Sequence, residues 1–199
     1  MCNDDIIEAV RLAPGPTLDW SEYGLGVYDV QSASARVRCY SDVLAKLKHV
    51  EHRQRAIRAR EIATCAGVPE TSTLMMSTAQ VRALRMEGIE IGAHTHTHPI
   101  LNSLDDNAAM QEIEGGKERL EGILGETVNF FAYPNGIPGK DFSPRHVAMV
   151  RSAGFRGAVT TARGAAATGC TPFLLPRFTP WDRSMWKFAA RCAANVHRG

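Results

Sequence analysis

The chain has 199 residues, 44% of them apolar and 22% charged, with a formal charge of +2. That length suits one domain with a substantial core, and so small a net charge gives no electrostatic case for nucleic acid or an anionic membrane as partner. No apolar run approaches the length of a membrane span, and residues 1–15, which carry Asp4, Asp5 and Glu8, lack the continuous apolar core of a signal peptide.

The first third reads as helical and irregular. Asn3 or Asp4 caps a short helix through Ile6, Ile7 and Val10, stopped by Pro14-Gly15-Pro16. Between Ser32 and Val50, Val37, Tyr40, Val43, Leu44 and Leu47 recur at helical spacing. A second helix is expected from His52 to about Ala66, with Gly67 behind it. Its basic run, Arg53 to Arg60, reads as a solvated face. Trp20, Tyr23 and Tyr28 fall in the linking segment and read as packing aromatics.

From Leu74 the pattern becomes an alternation of helix and strand. Ser77-Thr78-Ala79-Gln80 is a capping box, opening a helix through Val81 and Leu84 that Gly88 closes. Ile89 to His94 reads as a short strand. Asp105 is a good N-cap for a helix through Ala109, Ile113, Leu120 and Leu124, although Gly115-Gly116 at its centre argues against one unbroken helix. Val128 to Tyr133 is an apolar strand stopped by Pro134-Asn135-Gly136. Ser143-Pro144 opens a helix closed by Gly154. Phe155 to Thr161 and Phe173 to Phe178 read as the last strands. Such alternation predicts an α/β architecture with a mainly parallel sheet, in which chemistry gathers at the carboxyl ends of strands.

Two signals lie on that rim. One is Gly92-Ala93-His94-Thr95-His96-Thr97-His98-Pro99, which holds three of the seven histidines. Imidazole is the commonest protein ligand for zinc and similar metals, and a bound metal polarises a carbonyl and acidifies water without a side-chain nucleophile. The other is the turn Tyr133-Pro134-Asn135-Gly136. The five cysteines, Cys2, Cys39, Cys65, Cys170 and Cys192, are scattered and odd in number. They read as free thiols in a reducing compartment, which predicts a cytoplasmic location.

The histidine tract followed by Leu101, then Phe130-Phe131-Ala132-Tyr133-Pro134-Asn135-Gly136, then Ala158-Val159-Thr160-Thr161 and Leu175-Pro176-Arg177-Phe178, resembles the polysaccharide deacetylase family, also called the NodB-homology domain. The resemblance runs from about Leu74 to Asp182. It implies an incomplete or distorted (β/α) barrel, with residues 1–73 as a helical N-terminal segment of the same domain and residues 74–199 as the deacetylase-like core. It implies a hydrolase of non-peptide carbon–nitrogen bonds that removes acetyl groups from N-acetylated carbohydrate with a divalent metal, most often zinc. By that pattern His94 and His98 are the metal ligands. The Asn135 backbone N–H is the oxyanion donor. His96 supports the ligands or faces away, and Tyr133, Pro134 and Arg177 border the substrate groove. A regular strand would turn all three imidazoles to one face, so the pattern requires the chain to leave strand geometry near Thr95.

The sequence also departs from the family pattern. No Thr-Phe-Asp-Asp-type motif precedes the histidines, and in the family that motif supplies the base and a metal-binding carboxylate. Asp4-Asp5 and Asp105-Asp106 both sit at helix starts instead. Ala132 stands where the family often has arginine, and the C-terminal histidine is absent. The chain therefore reads as beginning after the family's first strands. Two expectations follow: a metal site that is weak for want of its carboxylate, and an open sheet edge that favours a homo-oligomer. The alternative function is a catalytically inactive, truncated deacetylase fold acting as a carbohydrate-binding or interaction module.

Overall fold

A computed structural model describes residues 2–48, 50, 52–67, 75–178 and 182–196. The chain forms two compact units, Met1–Met76 and Ser77–Gly199.

In the first unit, helices α1 (Cys2–Leu12), α2 (Ala33–Leu47) and α3 (His52–Cys65) stand where helical spacing predicts them. The Ser32 hydroxyl accepts the Ala35 N–H at 3.1 Å, satisfying one of the orphan donors of α2. The Arg36 guanidinium donates to the carbonyls of Val10 and Arg11, closing the last turn of α1. Ile6, Val10, Trp20, Val43 and Ile62 are buried together. The segment between α1 and α2 is a correction to the sequence reading. It forms an antiparallel hairpin of β1 (Thr17–Trp20) and β2 (Gly26–Asp29), with Leu18 opposite Tyr28 and Trp20 opposite Gly26. Leu18 and Trp20 alternate inward with exposed Thr17 and Asp19, the two-residue period of a half-buried strand.

The second unit opens with α4 (Thr78–Met86). Its capping box forms as expected: Ser77 Oγ accepts the Gln80 N–H at 3.3 Å, and Gln80 Oε1 accepts the Ser77 N–H at 2.7 Å. Helix α5 (Asp106–Leu124) starts at Asp105, whose carboxylate accepts the Ala108 N–H at 2.8 Å. It runs unbroken through Gly115-Gly116, contrary to the expectation from propensity. Tertiary packing overrides a cost of about 1 kcal/mol per glycine, because the histidine tract lies directly against this face of the helix. Strand β3 (Phe130–Ala132) and strand β4 (Gly157–Val159) pair in parallel, with Phe130 opposite Gly157. Helix α6 (Pro144–Ser152) connects them.

Parallel bridges extend the row on both sides, Ala93 to Phe131 and Val159 to Leu175. Four chain segments thus lie in the spatial order Ala93, β3, β4, Leu175. No closed barrel forms among the described residues, in keeping with an incomplete or distorted (β/α) barrel. The paired stretches are shorter than the apolar runs predicted. Pro134 has no N–H to continue the ladder of β3, and the chain leaves extended geometry soon after Ala93. Phe131, Tyr133, Phe142, Ile113, Val150 and Phe155 fill the core beneath the row. A last helix, α7 (Met185–Val196), lies beyond the segments read from the sequence and exposes Met185 and Trp186. Among the described residues no helix is long and apolar enough to cross a membrane. Cys39, Cys65, Cys170 and Cys192 are free.

Candidate active site

Ala93 and β3 deliver their carboxyl ends to the same rim, so the histidine tract and the Tyr133–Gly136 turn begin side by side. The hydrogen bonds that fix this are short: the Ala93 N–H donates to Phe130 at 2.8 Å, and the Ala132 N–H donates to Ala93 at 2.8 Å.

His94 follows at once, and its Nδ1 lies 2.7 Å from the Ala132 carbonyl oxygen. A carbonyl only accepts, so Nδ1 carries the proton and a neutral ring has its lone pair on Nε2. Burial pushes the pKa of His94 below the ordinary imidazole value, and the charge of Arg177 lowers it further, while the Ala132 hydrogen bond opposes both. The neutral, ligand-competent form is therefore favoured.

The chain then turns sharply. Thr95 has φ 61° and His98 has φ 64°. Left-handed backbone costs an ordinary residue about 1–2 kcal/mol, and a β-branched residue such as Thr95 is especially rare there. This is the departure from strand geometry that the metal pattern requires. The result brings His98 edge-on to His94, with ring centroids 4.6 Å apart and planes at 72°. Thr95 Oγ1 accepts the His98 N–H at 3.1 Å and donates to the His94 carbonyl at 2.6 Å, so one hydroxyl ties both ends of the turn. His96 lies against α5 instead, its side chain over Gly115 and beside a cavity that Arg82 and Arg119 also line.

The Tyr133–Gly136 turn divides between core and surface. Asn135 is exposed at φ 57°, and Gly136 follows at φ 75°. The Asn135 carbonyl accepts the Thr161 hydroxyl at 2.8 Å, and the Gly136 carbonyl accepts the Thr161 N–H at 2.9 Å. The Asn135 N–H makes no hydrogen bond among the described residues, which leaves it available to a ligand oxygen. Tyr133, expected at the border of the substrate groove, packs inward. It is 1% exposed, stacks on Phe142 at 3.8 Å between centroids, and donates its hydroxyl to Phe173 at 3.2 Å. Pro134 is buried beside it. Both pack into the core because the chain re-enters it between β3 and the Asn135 turn. Arg177 is exposed, and its N–H donates to Ala162 at 3.1 Å.

The aspartate pairs are otherwise engaged. Asp4 and Asp5 lie in the first turn of α1, with Asp5 3.8 Å from Arg60, and Asp106 pairs with Arg145 beside the Asp105 cap. The donor chemistry of His94 and His98 fits two nitrogen ligands of a divalent metal. Among the described residues they are not joined by a third histidine, cysteine or carboxylate. Sequence reasoning passed over Glu112. Its carboxylate accepts the His96 N–H at 2.9 Å and the Thr97 N–H at 2.7 Å on one oxygen, and the Thr97 hydroxyl at 2.6 Å on the other. Its position one turn before Gly115-Gly116, on the helix following the tract, was the available signal.

The arrangement can be set beside known proteins. A family model described as polysaccharide deacetylase matches residues 54–158. The Streptococcus pyogenes deacetylase PplD, solved in complex with acetate, is similar at 21% identity and a TM-score of 0.50, over 54% of this chain and 46% of that one. A polysaccharide deacetylase from Bacillus cereus is similar at 25% identity and a TM-score of 0.51, over 58% of this chain and 36% of that one. The match thus spans less than half the length of either structure. No curated protein matches the sequence. With the family model covering more than half of its residues and these structures sharing its fold, the chain belongs to the polysaccharide deacetylase family.

Proposed function

We propose that the chain is a metal-dependent hydrolase that removes acetyl groups from N-acetylated carbohydrate. The observation that carries this reading is the edge-on pair His94 and His98, held by a left-handed turn on the rim that also presents the Asn135 N–H. A divalent cation, zinc by preference, would be held by these two imidazoles and would supply Lewis acidity toward the acetamide carbonyl and a lowered pKa for the attacking water. Two groups of the chain would assist. The Ala132 carbonyl holds the Nδ1 proton of His94 and so aims Nε2 outward. The Asn135 N–H donates to the carbonyl oxygen as water adds to its carbon and charge gathers there. The C–N bond then breaks, acetate leaves, and the sugar amine takes a proton. Arg177, whose charge acts on His94, would border the substrate groove.

The second reading is a carbohydrate-binding module without turnover. What favours it is that, among the described residues, His94 and His98 stand as a pair where catalytic zinc usually has three protein ligands. Calorimetric titration with zinc, together with acetate release from N-acetylglucosamine oligomers, separates the two. The first reading expects zinc binding that His94→Ala/His98→Ala abolishes, and zinc-dependent acetate release. Oligomer binding without acetate release supports the module. Unchanged zinc binding by the double variant removes the proposed site.

Among the described residues the parallel row ends at Ala93 and Leu175, which is a reason to expect self-association, with a homo-oligomer as the proposed state. Light scattering during size-exclusion chromatography tests it, and a stable monomer at micromolar concentration would refute it. A cytoplasmic location is proposed on the free thiols alone.

A further inference from the structure

The histidine tract does not hold its shape by itself. Its two left-handed residues, Thr95 and His98, bracket His96 and Thr97. Relaxation toward an extended chain would carry His94, His96 and His98 onto one face and take His98 out of its edge-on place. What grips the two bracketed residues is a carboxylate from another element. Glu112 of α5 accepts both of their N–H groups on Oε2, and the Thr97 hydroxyl on Oε1. Hydrogen bonds from neutral donors to an ionised acceptor are shorter and stronger than neutral pairs, and three converge here. One turn further along the same helix, Gly116 has no Cβ, and the Thr95 carbonyl occupies that space. The tract is thus clamped to α5 at the middle of its turn.

We propose that Glu112 is a positioning residue. It holds the His96–Thr97 peptide in the turn that sets the approach of His98 to His94, and so fixes the metal-binding pair without touching the metal. The proposal rests on the metal reading of His94 and His98, and its test keeps the two apart.

The first measurement needs no metal. The His96 and Thr97 amide protons exchange slowly in the wild-type protein and rapidly in Glu112→Ala, while those of α5 and β3 are unchanged. The second is zinc titration of the same proteins. Glu112→Ala loses about 10- to 100-fold in zinc affinity, the usual size of a lost supporting contact. Glu112→Asp, one methylene shorter, also loses affinity and serves if the alanine variant does not fold. Glu112→Gln retains most of the affinity, because its amide oxygen still accepts the two N–H groups and its NH₂ donates to the Thr97 hydroxyl. A merely structural role would lower stability in all three variants without this order. Wild-type exchange rates or wild-type zinc affinity in Glu112→Ala and Glu112→Asp overturn the proposal and leave the metal reading standing. Zinc binding that survives His94→Ala/His98→Ala overturns the metal reading, and amide exchange then still decides whether Glu112 holds the turn.

Discussion

Gly116→Ala isolates the contact between the histidine tract and α5. A Cβ at Gly116 would lie 2.6 Å from the Thr95 carbonyl oxygen and 2.7 Å from its carbon, both backbone atoms that cannot rotate away. Overpacking of this kind costs about 1–3 kcal/mol. Removing a helical glycine returns about 1 kcal/mol, so the net loss is about 0–2 kcal/mol. Two other glycines of the same helix calibrate the second contribution. At Gly122 a Cβ meets nothing within 4 Å, and at Gly115 the three nearest atoms are His96 side-chain atoms at an ordinary 3.7–3.9 Å. Both alanine variants should gain up to about 1 kcal/mol. The difference between Gly116→Ala and Gly122→Ala then reads the overpacking alone, about 1–3 kcal/mol. At roughly 2–4 °C per kcal/mol, a 2 kcal/mol difference separates the melting temperatures by about 4–8 °C. Scanning calorimetry is the assay, because it resolves two transitions if the two units unfold separately. A Gly116→Ala protein as stable as Gly122→Ala would mean that the tract does not rest on the helix, and the account of both the turn and the glycine pair would fail.

His146 is fully buried on α6, with Nδ1 accepting the Ser143 N–H at 3.0 Å. Burial and the Arg145 charge lower its pKa from 6.5, with Asp106 opposing. The unfolded chain therefore binds more protons once the pH falls to about 6.5, so stability is full above that and declines through it, by at most about 1.4 kcal/mol per pH unit for this one group. Urea denaturation between pH 7.5 and 5.5 should show a shallower decline in His146→Leu, and an identical slope would refute the assignment. Tyr133→Phe keeps the stack on Phe142 but leaves the Phe173 carbonyl without its donor, which should cost about 1 kcal/mol. Because Tyr133 lies in the core, KM for an N-acetylated oligomer should not move, and a raised KM with unchanged stability would return Tyr133 to the substrate groove.

What the sequence made legible were features with a local cause. Ser77 and Gln80 sit three residues apart and form their box, and Pro144 opens α6 because its missing N–H has no partner at that position. The alternation after Leu74 and the histidine spacing were equally plain, since both are written in neighbouring residues. The features that were not legible depend on distant ones. The β1–β2 hairpin has strands of four residues, too short for a two-residue period to stand out against the flanking helices. Gly115-Gly116 looks like a helix breaker until the Thr95 carbonyl is seen resting on it. Glu112 looks like one more solvated helical carboxylate, and its role depends on a loop reached only through the fold.

Ala132 ties the two halves of the rim together at a single peptide. Its N–H is committed to the Ala93 carbonyl, and its C=O holds the His94 imidazole. Three residues further along the backbone, the chain reaches the Asn135 N–H. A slip of one residue between the Ala93 segment and β3 would therefore misplace the proposed ligand His94 and the proposed oxyanion donor Asn135 in one event, and neither could be rescued alone. The site behaves as a lock whose tumblers share one spring. On the proposed metal reading, zinc affinity becomes a reporter of strand register in the second unit: a zinc titration that weakens with temperature ahead of helix loss would be timing the release of that one pairing.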